Sequence, residues 1–214
     1  MSKVSVLKCE SYSQEVLNEK ISESINNIIN LDNVLTKNSK IFIKLNLVGP
    51  FDKDKGITTH PNVLRAVVKI VKKYTNNIIV GDNPAVRDMI FTMKKTGIYD
   101  VICEENLAVL NQKDLTIISS PNYKIYKDFE VTREMIDCDV LINLPKLKTH
   151  SLAYMTCAQK NFFGTIVGLE KSKWHVKARS PLEFADAIND LYSAITNSFN
   201  NKYIINICDG IVGL

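Results

Sequence analysis

Short runs of Ile and Val that alternate with helical patterns are the feature of this chain that most constrains its fold. Each run is short enough to be a strand and is bounded by turn residues. Because the runs are apolar on both faces, they are typical of strands buried inside a parallel sheet. Their alternation with helical segments predicts βαβ units and an α/β fold. The predicted strands are Lys3–Leu7, Lys40–Leu45, Asn77–Val80, Val140–Asn143 and Tyr203–Ile207.

The segments between these runs carry apolar residues at helical spacing. The clearest helix is Pro181–Ser198, because Ser180 can cap it and Glu183 completes a Ser-x-x-Glu capping box. The overall prediction is a mainly parallel sheet with helices on both faces. The other predicted helices are Glu15–Ile29, Asn62–Tyr74 and Ala85–Thr96, the last of them ending at Gly97.

The segment 101–129 departs from this alternation. Its apolar pieces, Leu107–Leu110 and Leu115–Ile118, are short and are separated by charged residues and by Pro121. We predict short strands here, which would form a small antiparallel excursion from the main sheet.

The domain organisation follows from length and composition. The chain has 214 residues and 45% hydrophobic content, which is enough to bury a substantial core. No linker-like or low-complexity segment divides it, so a single α/β domain over residues 1–214 is predicted. The sequence ends at Leu214, directly after a predicted strand and a glycine turn. This ending predicts that the chain is the N-terminal piece of a longer protein.

Charge and cysteine usage indicate the cellular setting. The 27 Lys and Arg residues against 23 Asp and Glu give a net charge of +4, which does not favour nucleic acid as a partner. The apolar runs are shorter than the ~20 residues that span a bilayer, so no membrane association is predicted. Five scattered cysteines without a signal peptide predict a cytoplasmic protein. Their spacing provides no iron–sulfur cluster motif within this chain, and the cofactor is left open.

The segment 139–168, DVLINLPKLKTHSLAYMTCAQKNFFGTIVG, concentrates hydrogen-bond donors directly after an apolar run. A hydrophobic core offers no acceptors for so many hydrogen-bond donors, whereas a bound anion accepts hydrogen bonds from several of them. The alternative is a solvated lysine face, which is common in a Lys-rich sequence. The donors and the glycine beside them are Lys146, Lys148, Thr149, His150, Lys160, Asn161 and Gly164.

Polar loops containing Gly or Pro also follow the other long predicted strands. Ligands of open parallel α/β sheets bind outside the carboxyl ends of the strands, where such loops converge. We therefore predict that a small anionic ligand is held in one cleft at this edge. The predicted ligand-binding residues are Lys44, Asn46, Asn83, Lys146, Lys148, Lys160 and Asn161.

His60 and His150 are the candidates for proton transfer, because an imidazole titrates near neutral pH. Asp82 or Asp209 would position them, and these four residues are the predicted catalytic group. An alternative for His60 is that it only caps the helix that begins near Pro61. A metal held by the same four residues is another alternative, but no HxH or HExxH spacing supports it, and no metal site is predicted.

The common signatures of nucleotide-binding and hydrolase sites are absent from the sequence. There is no GxxxxGK[ST] loop, no GxGxxG after a strand and no GxSxG elbow. Cys157 has no obvious paired base, and we interpret it as structural.

Six motifs together span most of the chain: KLNLVGP (44–50), TTHP (58–61), VGDNPA (80–85), DVLINLPKLKTH (139–150), QKNFFG (159–164) and CDGIVGL (208–214). Taken together, they resemble the domain of unknown function 362 (DUF362) family of bacterial and archaeal proteins. Members of this family often accompany ferredoxin-like iron–sulfur modules. The resemblance therefore implies an α/β domain of a redox-linked protein, with a ferredoxin-like module or partner outside this sequence. It does not supply a reaction.

Two functional hypotheses follow. The first is an enzymatic or ligand-binding domain whose cleft holds a small anion, with the question of catalysis left open. The alternative is a non-enzymatic nucleic-acid or protein interaction module that uses the Lys-rich surfaces around Lys69–Lys73 and Lys171–Lys177.

Overall fold

A five-stranded parallel sheet forms the centre of the computed structural model, which describes residues 3–84, 87–167, 180–200 and 202–213. The three central strands are almost entirely buried, as their apolar runs require, whereas the two edge strands are partly exposed. The predicted α/β class is confirmed. The strands of this sheet are β1 (Ile41–Lys44), β2 (Ile78–Gly81), β3 (Ala108–Val109), β6 (Val140–Asn143) and β9 (Tyr203–Asn206).

The order of the strands is β3-β2-β1-β6-β9, and every neighbouring pair is parallel. The chain builds outward from β1 to β2 and β3, and then crosses to the opposite side of β1 for β6 and β9. Because β-helix-β connections are right-handed, this reversal places helices on both faces of the sheet. The point between β1 and β6 is a topological switch point, and ligands of open parallel sheets bind beside such a point.

The strands are in a register that aligns their carboxyl ends. Lys44, the last residue of β1, is opposite Gly81 of β2 and Asn143 of β6. Asn143 is in turn opposite Asn206 of β9. The loops that follow these four strands therefore begin side by side.

The helices pack their apolar stripes against this sheet and against each other. Helix α1 packs on α2, and α2 packs on α4. The predicted cap of α7 is confirmed, since Oγ of Ser180 accepts the N–H of Glu183 at 3.2 Å. No helix in the described ranges is long and apolar enough to cross a membrane. The helices are α1 (Gln14–Ile28), α2 (Pro61–Val71), α3 (Met89–Lys95), α4 (Ile98–Glu104), α5 (Arg133–Asp137), α6 (Ala158–Asn161) and α7 (Pro181–Ser198).

Two small antiparallel pairs accompany the main sheet. Strand β4 (Leu115–Ser119) pairs with β5 (Asp128–Thr132), which confirms an antiparallel excursion in this region. The prediction of short strands across 101–129 is wrong at its start, where the residues belong to α4 and their apolar side chains pack at helical spacing. The hairpin of β7 (Lys148–His150) and β8 (Tyr154–Thr156) was not predicted.

The predicted strand Lys3–Leu7 is wrong. Residues 3–10 form no strand, and the side chains of Val4 and Val6 are 83% and 88% exposed. A β-prone sequence becomes a strand only when a neighbouring strand supplies hydrogen bonds and packing, and the edges of the sheet are formed by β3 and β9. The predicted helix Ala85–Thr96 begins later, at Met89, because Asp88 caps it by accepting the N–H of Phe91. Residues 85–86 of that prediction lie outside the described ranges.

Candidate functional site

Lys44 and Asp82 form a buried ion pair at the carboxyl ends of β1 and β2. The Nζ of Lys44 lies 2.6 Å from Oδ1 of Asp82, and the two side chains are 2% and 4% exposed. Asp82 also accepts the backbone N–H groups of Leu47 at 2.5 Å and Asn83 at 2.7 Å. Burial lowers the pKa of Lys44, and the carboxylate of Asp82 opposes this effect. Asp82 therefore links the loop after β1 to the loop after β2. Among the described residues it contacts neither predicted histidine.

A chain of side-chain amides continues from this ion pair across the strand ends. Asn46 donates to Oδ1 of Asn161 at 2.6 Å, and Asn161 donates to Oδ1 of Asn143 at 2.7 Å. Asn143 donates to Oδ1 of Asn206 at 2.8 Å. The sequence analysis missed Asn143 and Asn206, although each is the polar last residue of an apolar parallel strand, which is a signal that could have found them.

Lys148 reaches the same place from β7 and is held only by neutral oxygens. Its Nζ donates to Oδ1 of Asn46 at 2.6 Å and to the carbonyl of Ile57. Burial lowers the pKa of Lys148 to about 8, and the positive charges of Lys160, Lys146 and Lys44 act in the same direction. Its charge is therefore not matched by a carboxylate in direct contact.

Lys160 projects from α6 onto two aromatic rings. Its Nζ lies 4.6 Å from the ring centre of Phe163 and 5.6 Å from that of Phe184. Burial and the charge of Lys44 together lower the pKa of Lys160 to about 8, and the charge of Asp82 opposes them. Among the described residues this ammonium group has no hydrogen-bond or ion-pair partner, so the two ring faces and the more distant charge of Asp82 stabilise it. We call Lys44, Asn46, Asp82, Lys148, Lys160 and Asn161 the Asp82 cluster.

Gly164 brings its backbone against the ion pair at the centre of this cluster. Its carbonyl accepts the backbone N–H of Asn83 at 3.2 Å and Nδ2 of Asn83 at 3.1 Å. A Cβ atom on Gly164 would lie 2.4 Å from Oδ1 of Asp82 and 2.6 Å from Nζ of Lys44. No larger residue fits here without displacing the ion pair.

We expect the substitution Gly164→Ala to lower the free energy of unfolding by about 1–3 kcal/mol, because the added methyl group overpacks a buried ion pair. Denaturant titration of both proteins measures the difference. Gly210→Ala is the matched control, since its Cβ would meet Leu147 at an ordinary 3.4 Å, and a change within about 0.5 kcal/mol is expected. Equal stability of Gly164→Ala and the wild type would contradict this account.

A second buried ion pair lies beside the first. Nζ of Lys146 is 2.9 Å from Oδ1 of Asp209, and the side chains are 1% and 0% exposed. The hydroxyl of Tyr12 donates to the same oxygen at 2.8 Å and accepts from Lys146 at 2.6 Å. Oδ2 of Asp209 accepts the backbone N–H of His60 at 3.1 Å. We call Tyr12, His60, Lys146 and Asp209 the Asp209 cluster.

Tyr12 is the member of the Asp209 cluster that the sequence analysis missed. Burial, followed by the negative charge of Asp209, raises the pKa of Tyr12 above its usual value. Its ring stacks on the imidazole of His60 with 3.9 Å between ring centres. No local pattern marks Tyr12, because it lies in an irregular segment before α1.

Both predicted histidines use Nδ1 to accept backbone N–H groups. In His60 this atom accepts from Asn62 at 3.1 Å, so the helix cap considered as an alternative is present. In His150 it accepts from Leu152 at 3.2 Å and Ala153 at 3.1 Å. A neutral imidazole whose Nδ1 is an acceptor carries its proton on Nε2. Burial lowers the pKa of His60, which favours this neutral form.

The predicted site residues thus divide between neighbouring groups. The ligand-binding candidates Lys44, Asn46, Lys148, Lys160 and Asn161 meet in the Asp82 cluster, and Asn83 adjoins it. Lys146, His60 and Asp209 meet in the Asp209 cluster. His150 stacks on Phe184 at 6.1 Å, and Lys160 contacts the same ring.

The charges of these groups favour an anion. Four lysines are matched by two aspartates, so two positive charges are left without a carboxylate in contact. Thr58 adds a donor, because its hydroxyl is fully buried and has no hydrogen-bond partner among the described residues. Across the same residues, no three His, Cys, Asp or Glu side chains come together as metal ligands.

A sequence profile described as Domain of unknown function (DUF362) matches residues 41–214. The chain belongs to the DUF362 family. The DUF362 match includes the whole Asp82 cluster and every member of the Asp209 cluster except Tyr12, which precedes it.

Known proteins resemble this DUF362 chain over part of their own length. The thylakoid-associated protein sll1697 of Synechocystis sp. (strain ATCC 27184 / PCC 6803 / Kazusa) is 26% identical over 98% of this chain and 63% of its own length. The lactate racemase apoprotein of Thermoanaerobacterium thermosaccharolyticum has a TM-score of 0.59 and 17% identity over 93% of this chain and 49% of its own.

A protein of Thermotoga maritima, solved by the Northeast Structural Genomics Consortium, has a TM-score of 0.57 and 13% identity. The DUF362 chain covers 53% of that protein, and it spans less than two thirds of each of these three relatives. The two solved structures are similar to this chain in fold.

The other predictions about this DUF362 chain stay predictions. The ferredoxin-like partner and the cytoplasmic location are untested. Of the Lys-rich surfaces named for an interaction module, the one around Lys69–Lys73 includes Lys72, which is paired with Glu105 at 3.0 Å. The surface around Lys171–Lys177 lies outside the described ranges.

Proposed function

We propose that this DUF362 domain binds a small carboxylate or phosphate anion at the switch point of its sheet, between Lys148 and Lys160. The observation that carries the proposal is the half-buried ammonium group of Lys160, which rests on two rings and, among the described residues, has no carboxylate in direct contact. Burying an unpaired cation is unfavourable for folding, and residues with strongly shifted pKa values cluster at functional sites. A bound anion would supply the missing charge.

The surrounding groups fit the same ligand. Lys148 is held by two neutral oxygens and keeps donor capacity for a third acceptor, since an ammonium group has three N–H donors. The amide chain through Asn46 and Asn161 fixes the position of Lys148 and of α6. The unpaired hydroxyl of Thr58 follows Ile57, whose carbonyl contacts Lys148.

Two considerations favour a small anion as the ligand. One is the arrangement of the donor groups, and the other is the name of a structural neighbour. The two lysines, the amides and the loops all converge within one layer at the strand ends, which favours a compact ligand. A structural neighbour is a lactate racemase by name, and lactate is a small carboxylate. Lactate and inorganic phosphate are therefore the probes that we choose.

Proton transfer is the chemistry that this site would add to binding. A lysine with a pKa near 8 can exchange a proton close to neutral pH, as a general acid or base must. His150 stacks on the ring of Phe184, which Lys160 also contacts, and stays a candidate for the same role. Asp82 and Asp209 would act by holding the lysines and loops in place.

We expect the affinity for lactate or phosphate to fall by at least about tenfold between pH 7 and pH 9.5. Lys148 and Lys160 are charged below a pKa of about 8 and become neutral above it, so the anion loses its partners as pH rises. Calorimetric titration at several pH values measures this change.

Lys148→Ala tests the location of the binding site. The variant should bind about tenfold more weakly at pH 7, while Lys69→Ala, which removes an exposed lysine of α2, should bind like the wild type. Affinity that is independent of pH, or intact in Lys148→Ala, would refute the proposal. Tight binding of oligonucleotides with a steep salt dependence would instead favour the interaction module.

A further inference from the structure

Two cysteines that are distant in sequence lie in contact beside the candidate site. The Sγ atoms of Cys157 and Cys208 are 3.6 Å apart, although 51 positions separate them in the chain. Cys208 is exposed and Cys157 is half-buried, so small oxidants can reach the pair. From the sequence, Cys157 was interpreted as structural because it has no obvious paired base, and its contact with Cys208 was not predicted.

The two cysteines belong to the two halves of the site. The carbonyl of Cys157 accepts the N–H of Asn161 at 3.0 Å, at the start of the short helix α6 that carries Lys160. Cys208 immediately precedes Asp209, whose N–H donates to the carbonyl of Pro145 at 2.9 Å. A bond between the two sulfurs would therefore join α6 to the loop of the Asp209 cluster.

We propose that Cys157 and Cys208 form a reversible disulfide when the protein meets a peroxide. A disulfide needs the sulfurs at about 2.05 Å, and the thiols already lie in contact, so small side-chain movements suffice. This inference stands independently of the proposed anion binding.

Hydrogen peroxide is the oxidant, and its reaction with the two thiols balances in atoms and electrons. One of the two sulfurs attacks a peroxide oxygen as the thiolate, the O–O bond breaks, and the leaving hydroxide takes a proton to become water. The other sulfur then attacks the resulting sulfenic acid, the S–O bond breaks, and the second water leaves with the thiol proton. Two thiols lose two electrons in total, and one peroxide becomes two waters.

The order of attack does not change the product. The thiol that reacts first becomes the sulfenic acid, and the neighbouring thiol resolves it. An external dithiol reverses the reaction by thiol–disulfide exchange.

The test is cysteine mapping of the full chain. The reduced protein is treated with hydrogen peroxide, alkylated, digested and analysed by mass spectrometry. We expect one crosslink, between the peptides that contain Cys157 and Cys208, and its loss after treatment with dithiothreitol. Cys103→Ser, which removes an exposed cysteine outside the pair, should form the same crosslink.

Variants at the pair make the test decisive. Cys157→Ser and Cys208→Ser should each form no intramolecular crosslink, and each should stop at a sulfenic acid on the cysteine of the pair that remains. Alkylation of both cysteines after peroxide treatment, or crosslinks that involve Cys9, Cys103 or Cys138 instead, would overturn the proposal.

Thermal unfolding gives a second measurement. A crosslink across 51 positions restricts the unfolded chain, so oxidation should raise the Tm of the wild type by about 5–10 °C and leave both pair variants unchanged. A wild-type Tm that does not rise on oxidation would show that the bond does not form within the native fold, and would likewise overturn the proposal.

Discussion

Replacing Lys44 by Met is expected to lower the free energy of unfolding by about 3–5 kcal/mol. The substitution keeps the length of the side chain but removes its charge, so the carboxylate of Asp82 stays buried without a cation. Its remaining donors, the N–H groups of Leu47 and Asn83, cannot replace a full charge. Urea titration followed by circular dichroism measures the loss.

Two further proteins separate the charge effect from a packing effect. The double variant Lys44→Met, Asp82→Asn removes both charges and should recover at least about half of the lost stability. Lys20→Met breaks a surface pair with Glu23 and should leave the free energy of unfolding close to that of the wild type. If Lys44→Met is as stable as Lys20→Met, the buried ion pair does not have the importance that we give it.

Replacing Lys160 by Met is expected to stabilise the domain while weakening its binding of anions. The pKa of Lys160 is lowered from 10.5 to about 8, which corresponds to an unfavourable contribution of roughly 1–3 kcal/mol after allowance for partial solvation. Met keeps the contact with the rings of Phe163 and Phe184 and removes this cost. The Tm should rise by about 3–8 °C, and affinity for lactate or phosphate should fall at least about tenfold.

The pH dependence of stability provides an independent check on Lys160. Below pH 8, Lys160 is charged in both the folded and the unfolded chain. The unfavourable free energy of burying its charge is then fully present. Between pH 8 and 10.5 the unfolded chain binds more protons, so this lysine makes the wild type more stable as pH rises.

The variant Lys160→Met should show a smaller rise over the same interval, whereas Lys69→Met should follow the wild type. A variant at Lys160 that is less stable than the wild type at pH 7 and still binds the anion would contradict both the burial cost and the proposed site.

The sequence was a good guide to the sheet and a partial guide to the site. Strands such as Val140–Asn143 were predicted because full burial in a parallel sheet demands an unbroken apolar run, which is a local property. The strand predicted at Lys3–Leu7 failed because pairing with a neighbour is not a local property. The rule that ligands bind at the carboxyl ends of strands selected the correct edge for the lysine clusters.

The contacts within the clusters were beyond the sequence. Asp82 and Asp209 were predicted to position histidines, yet each pairs with a lysine, because a buried carboxylate takes the nearest cation that the loops bring to it. The contacts of Tyr12 with Asp209 and of Cys157 with Cys208 join segments that carry no shared pattern. Such contacts depend on how the loops fold over the sheet.

Asp209 follows shortly after the edge strand β9. Local unfolding of that strand would therefore affect the Asp209 cluster. Strand β9 is at the edge of the sheet and pairs on one side only, with β6. Edge strands detach more easily than central ones during local unfolding. Detachment of β9 would carry away Asp209 and release Lys146, Tyr12 and the backbone of His60 together. The integrity of the Asp209 cluster is thus coupled to the pairing of a single edge strand.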